Sequence, residues 1–108
     1  MLKISVIIPV YNEEKTINEV IENVKKSQIR NVSKEIIVVD DCSEDNTRTI
    51  LKNINDKSLK ILFRQKNMGK GSAIRTGLKK STGDIILIQD ADLEYNPAEY
   101  KKLLTPLS

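Results

Sequence analysis

Three short runs of apolar, mostly β-branched residues divide the chain, at positions 4–8, 36–39 and 85–88. Each run is nearly continuous and is bounded by polar or turn residues, the pattern of a strand covered on both faces. Residues 59–63 form a weaker run of the same kind. Between the runs the period changes. Ile17, Val20, Ile21 and Val24 fall at i, i+3, i+4 and i+7, one apolar stripe on a helix. Asn12 is the expected N-cap of that helix, with Glu13 and Glu14 in its first turn. Ile50, Leu51 and Ile54 mark a second helix, capped by Ser43 or Asp45. Ala73, Ile74, Gly77 and Leu78 mark a third, with Gly83 at its exit. Tyr100, Leu103, Leu104 and Leu107 form the stripe of a fourth, with Pro97 in its first turn.

The order is β-α-β-α-β-α-β-α. It predicts an α/β fold of Rossmann-like form: a parallel sheet with helices on both faces and right-handed crossovers. Such sheets bind ligands beyond the carboxyl ends of their strands, where the strand order reverses. The loops at 9–14, 40–46, 64–71 and 90–96 are therefore the candidate site, and they hold most of the unusual residues of the chain.

Composition narrows the chemistry. At 108 residues, 39% hydrophobic and 31% charged, the chain is globular and forms one domain or part of one. No apolar run approaches the roughly 20 residues of a membrane-spanning helix. No basic segment, apolar core and cleavage site open the sequence, so a cytoplasmic location is expected. A single cysteine, Cys42, excludes an internal disulfide and a Cys-rich zinc site. The absence of histidine removes Ser-His and Cys-His catalytic pairs and His-ligated metals. Any metal here is held by oxygen. The net charge is +3, unevenly placed: residues 57–80 carry eight basic side chains and no acid. Such a block suits a phosphate-bearing ligand, a nucleic acid or an anionic membrane, or is merely a solvated face. Nucleic acid is disfavoured, because the only aromatic residue in the block is Phe63, predicted buried, which leaves no platform for base stacking.

Asp90, Asp92 and Glu94 follow the last strand at even spacing, so on an extended segment their side chains share one side. Carboxylates packed together repel unless a proton or cation intervenes. An all-oxygen site suits Mg²⁺ or Mn²⁺ shared with substrate phosphates. An EF-hand fails, since Tyr95 and Lys101 stand at its glycine and glutamate positions. Asp40 and Asp41 follow the second strand. An acid there accepts hydrogen bonds from a base or a ribose, or caps the next helix. Adjacent residues face opposite ways, so only one of the two is expected to touch a ligand. The segment at 64–75 is loop, then helix. Gly69 and Gly71 allow close approach, but Lys70 is followed by Gly71, which excludes a Walker A loop, and the third glycine of a dinucleotide fingerprint is missing. A cationic helix start still neutralises a diphosphate. Glu13 and Glu14, at the positive end of the first helix, repel one, which places a diphosphate near residues 90–94. Tyr11 either stacks on a base or is buried at the strand end.

Four segments carry a resemblance: Ser-Val-Ile-Ile-Pro-Val-Tyr-Asn-Glu-Glu at 5–14, Glu-Ile-Ile-Val-Val-Asp-Asp-Cys-Ser-Glu-Asp at 35–45, Arg64 with Asn-Met-Gly-Lys-Gly at 67–71, and Gln-Asp-Ala-Asp-Leu-Glu-Tyr-Asn-Pro at 89–97. In this order and spacing they resemble family 2 glycosyltransferases of the GT-A fold, in particular the dolichyl-phosphate mannosyltransferase-like branch with its polyprenyl-phosphate glycosyltransferases. The resemblance implies sugar transfer from a nucleotide-diphosphate donor with Mg²⁺ or Mn²⁺, and a sheet in the order 3-2-1-4. It assigns Pro9, Tyr11, Asn12, Glu13, Asp40 or Asp41, Lys70, Asp90 and Ala91 to the nucleotide. It assigns Asp90, Asp92 and Glu94 to the metal, Glu94 standing where the branch often has Gln. Cys42 stands where the family usually has Gly, in a tight turn. Catalytic domains of the family run to about twice this length. The acceptor half and the general base are thus expected outside the chain, the acceptor being a polyprenyl phosphate at the cytoplasmic face of a membrane. The implied order leaves the strand at 84–89 as an open edge able to pair with a second copy.

Overall fold

The structure, a computed structural model, describes residues 2–28 and 30–92. Its elements alternate along the chain: β1 (Leu2–Val10), α1 (Ile17–Lys26), β2 (Val32–Asp40), α2 (Thr47–Lys52), β3 (Leu59–Phe63), α3 (Lys70–Lys80) and β4 (Ile85–Ile88). The four strands form one parallel sheet in the order β3-β2-β1-β4, the order the resemblance implied. The expected fourth helix lies outside the described residues.

The register explains the unbroken apolar runs. Val6 pairs with Ile36 of β2 on one side and Leu87 of β4 on the other, and Ile7 pairs with Ile37 and Ile88. Successive side chains of β1 then enter different layers. Ile4, Val6, Ile8 and Val10 pack against the α1 stripe of Ile17, Val20, Ile21 and Val24, and against Leu51 of α2. Ile7 packs on the opposite face with Ile37, Val39 and Ala73 of α3. A strand buried on both faces has no position for a polar alternation. On the second face, α3 approaches so closely that a Cβ at Gly77 would lie 2.7 Å from Ile7 Cγ2.

Three expectations about element ends change. Asn12 does not cap α1; the helix begins at Ile17 with Thr16 in the cap position, and Glu19 is the acid of its first turn. Asn12 instead adopts φ 54° and joins two loops, its amide oxygen accepting the N–H groups of Glu44 (2.8 Å) and Asp45 (3.3 Å). In α2 the cap position is Asn46, while Asp45 accepts the N–H of Thr47 at 2.8 Å and Ser43 Oγ accepts that of Asn12 at 2.9 Å. Gly83 does not end α3, which stops at Lys80. It is small because it crosses β1: an added Cβ would lie 2.5 Å from Ser5 Oγ.

At the amino end of the sheet one carboxylate joins three strands and the segment that leads into the fourth. Glu35 of β2 accepts the hydroxyl of Ser5 (β1), the ammonium of Lys60 (β3) at 2.9 Å, and the N–H of Thr82 before β4 at 2.6 Å. Burial alone would raise its pKa. The Ser5, Lys60 and Thr82 donors outweigh burial and hold it down at about 2.

Candidate functional site

Beyond the carboxyl ends of β1, β2 and β4 lies a cleft of about 340 Å³. The chain runs β1, β2, β3 in one direction across the sheet and returns to the far side of β1 for β4. The cleft therefore sits at the reversal of strand order. Its walls include Pro9 near the end of β1, Tyr11 and Glu13 after it, Asp41 after β2, Lys70 at the start of α3, and Asp90, Ala91 and Asp92 after β4. Residues named separately from four loops of the sequence thus meet around one cavity. Val10 and Ala73, which no motif singled out, complete its apolar lining. Tyr11 is 40% exposed, which removes the reading of a tyrosine buried at the strand end.

The two aspartates at the end of β2 part as adjacent residues of an extended chain must. Asp40, fully buried, is not among the cleft residues; its Oδ2 lies 3.4 Å from Arg48 Nε and accepts the N–H of Ser43 at 3.2 Å. Asp41 turns into the cleft, with one oxygen accepting the N–H of Met68 (3.1 Å) and the other that of Gly69 (2.8 Å). Arg64 Nη1 stands 3.4 Å from the same carboxylate, and Arg64 Nη2 donates to Ser72 Oγ at 2.6 Å. A carboxylate has about four acceptor positions, so Asp41 retains capacity toward the cavity. Its backbone grip holds Gly69 at φ 95°, a conformation that favours glycine, and so sets where α3 begins and where Lys70 projects.

Glu13 and Glu14 precede α1 rather than filling its first turn. The Glu13 carbonyl accepts the N–H of Ile17 at 2.9 Å, and its carboxylate stands 3.2 Å from the Thr16 hydroxyl oxygen. Glu14 accepts the N–H of Asn46 at 3.1 Å. Only Glu13 of the pair lines the cleft, so the repulsion of a diphosphate at the helix start is weaker than two free acids would give. Thr16 also donates to the carbonyl of Ala91 at 2.6 Å, fastening the 90–92 segment to the start of α1. Asp45, beside this junction, is raised by burial but held lower overall by the Thr47 hydroxyl and the Thr47 and Glu14 N–H groups.

The basic block of residues 57–80 is not one surface. Lys60 serves Glu35 at the amino end of the sheet, Arg64 serves Asp41, and Lys70 makes an ion pair with Asp90 in the cleft. Cys42 takes φ 61°, the left-handed turn expected of the glycine it replaces, with its thiol donating to the Gln65 carbonyl at 3.5 Å.

The donor set suits a hard divalent cation. Asp90 and Asp92 offer only carboxylate oxygens, and Asp90 already holds a cationic group, the Lys70 ammonium. Among the described residues no three acids gather into a metal-binding group. Glu94 lies outside the described residues. A Mg²⁺-like ion commonly takes one or two carboxylates and completes its shell from phosphates and water, which two aspartates can satisfy.

Comparison with known proteins locates the chain further. The family described as "Glycosyl transferase family 2" matches residues 5–108. The undecaprenyl-phosphate 4-deoxy-4-formamido-L-arabinose transferase of Proteus mirabilis is 37% identical over 106 residues, covering 94% of this chain and 32% of that protein. The dolichol-phosphate mannosyltransferase of Pyrococcus furiosus is 36% identical over 104 residues, covering 95% and 29%. The chain thus spans about a third of the length of these curated relatives. Among solved structures, glucosyl-3-phosphoglycerate synthase from Mycobacterium tuberculosis, in complex with Mn²⁺, UDP and glucosyl-3-phosphoglycerate, superposes with a TM-score of 0.75 at 30% identity, covering 98% of this chain and 39% of that one.

Proposed function

The chain belongs to glycosyl transferase family 2, and from that premise we propose that it supplies the donor site of an enzyme that transfers a sugar from a nucleoside-diphosphate sugar to an acceptor. The observation that carries the proposal is the convergence of Tyr11, Asp41, Lys70, Asp90 and Asp92 from separate loops on one cleft. A cavity of about 340 Å³ lies in the range that small-molecule sites occupy.

The roles follow from position. Tyr11 offers an exposed ring for the base, and Asp41 offers its remaining acceptor positions to base N–H or ribose hydroxyl groups. Pro9, Asn12, Glu13 and Ala91 shape or brace the same wall. Asp90 and Asp92, with Glu94, would hold Mg²⁺ or Mn²⁺, and Lys70 would be a further cation for the diphosphate. In the reaction an acceptor oxygen bonds to the anomeric carbon as the bond from that carbon to the diphosphate oxygen breaks. The divalent ion, when bound, stabilises the charge that gathers on the departing diphosphate. Lys70 adds charge stabilisation at the same oxygens, and Tyr11 and Asp41 keep the nucleoside fixed while the bond breaks. The base that takes the acceptor proton is assigned to residues outside this chain.

The relatives named for undecaprenyl and dolichol phosphate support a polyprenyl-phosphate acceptor, and hence action at a membrane face. No helix among the described residues is long and apolar enough to cross a membrane. We also propose that β4, the last strand of the sheet, with Ile88 43% exposed, pairs with a second copy; light scattering after size exclusion giving a monomer would exclude this. The donor proposal is tested by titration calorimetry of UDP and GDP with Mn²⁺. Saturable heat with one nucleotide, and little turnover by this chain alone, is expected. No heat with either from a folded sample refutes it.

A further inference from the structure

The pair formed by Lys70 and Asp90 bears on how the cleft fills. Both residues line it, and the ammonium sits on Oδ1 of the carboxylate proposed to bind the metal. The pair is not loosely hung on one side. Lys70 is the first residue of α3, directly after Gly69, whose N–H is held by Asp41. On the other side, the Thr16 hydroxyl holds the carbonyl of Ala91, next to Asp90. Both partners are therefore anchored through backbone to the rim of the sheet. The lysine side chain is 59% exposed and that of Asp90 30%, so the ammonium has room to swing away.

We propose that Lys70 is a built-in counter-ion that competes with the divalent metal for Asp90, so that metal binds well only together with the donor's diphosphate. The inference rests on the donor-site reading above. Without a diphosphate, a dication entering at Asp90 must displace the ammonium and then tolerate it as a like charge nearby. A diphosphate brings negative oxygens that accept both cations, so Lys70 leaves Asp90 for the phosphate as the metal arrives. Metal and diphosphate then favour each other's binding, and the coupling is reciprocal. Metal binding with no donor present is thereby weakened, and no covalent step is involved.

The test uses Mn²⁺ alone as the probe, read by loss of the free-ion electron paramagnetic resonance signal, followed by the same titration with UDP or GDP present. Wild type, Lys70→Met, Lys70→Arg and Asp90→Asn are compared, with circular dichroism as the check on folding. Breaking a partly exposed ion pair changes affinity by about two- to five-fold. Lys70→Met is expected to bind Mn²⁺ alone tighter by about that factor, and to gain less than wild type from the nucleotide. Lys70→Arg, which keeps the charge, should behave as wild type, and Asp90→Asn should lose Mn²⁺ under both conditions. Unchanged or weaker binding of Mn²⁺ alone by Lys70→Met, with nucleotide-dependent binding intact in wild type, overturns the counter-ion role and leaves the donor site standing. Absence of Mn²⁺ binding by wild type even with nucleotide overturns the donor site, and this inference with it.

Discussion

Replacing Glu35 by Gln removes a charge that the fold keeps ionised in a nearly closed position. The carboxylate titrates at about 2 in the folded chain, against 4.5 for an ordinary glutamate. At about 1.4 kcal/mol per pH unit, the difference corresponds to about 3 kcal/mol of stability as an upper figure. The sign follows from the lowered value. The stabilisation is complete above pH 4.5, where the unfolded chain is ionised as well. It fades as the pH falls from 4.5 toward 2 and is gone once the folded carboxylate is protonated. Glutamine keeps the shape and one acceptor for the Ser5 hydroxyl or the Thr82 N–H, but it gives Lys60 and Lys3 no charge to meet. Urea unfolding of wild type and Glu35→Gln at intervals from pH 7 to 2 is the assay. The gap in unfolding free energy should hold level down to about pH 5 and then close by about 3 kcal/mol. A gap that stays constant down to pH 2 would show that Glu35 is not held ionised by the strands around it, and the account of the sheet's amino end would fail.

Asp41→Asn turns an NH₂ toward one of the Met68 and Gly69 N–H groups; a loss of about 1–3 kcal/mol in urea unfolding is expected, together with weaker nucleotide binding by calorimetry. Gly77→Ala drives a methyl to 2.7 Å from Ile7 and should lower stability by about 1–3 kcal/mol in thermal melts while leaving nucleotide affinity in place. Cys42→Gly relieves a side chain held at φ 61° and is expected to leave stability level or raise it by up to about 1 kcal/mol, whereas Cys42→Val should lower it by about 1–2 kcal/mol.

The sheet was legible because burial on two faces writes a local signature: each apolar run is short, unbroken and bounded, and the helices between the runs keep their own period. Strand order came from the family resemblance. The cleft loops followed from the alternation of strands and helices, as the turns at the carboxyl ends of the strands. What spacing did not reveal were contacts made across long stretches of chain. Asn12 sits where a cap is expected, yet its amide serves Glu44 and Asp45, more than thirty residues on. Arg64 was marked by the resemblance but given no partner, and only the fold set it beside Asp41 and Ser72. Glu35 reads as a polar residue before an apolar strand, and nothing nearby announces Lys60 or Thr82 as its partners. The division of labour between Asp40 and Asp41 was half legible: alternation required that they diverge, but only the positions of Arg48 and Gly69 decide which one faces inward.

Glu35 fastens the base of the sheet while the cleft opens at its top, with Val6, Ile7 and Ile8 of β1 between them. Foundation and workshop are thereby kept on separate floors. The upper loops can therefore be rewritten without disturbing the anchorage below.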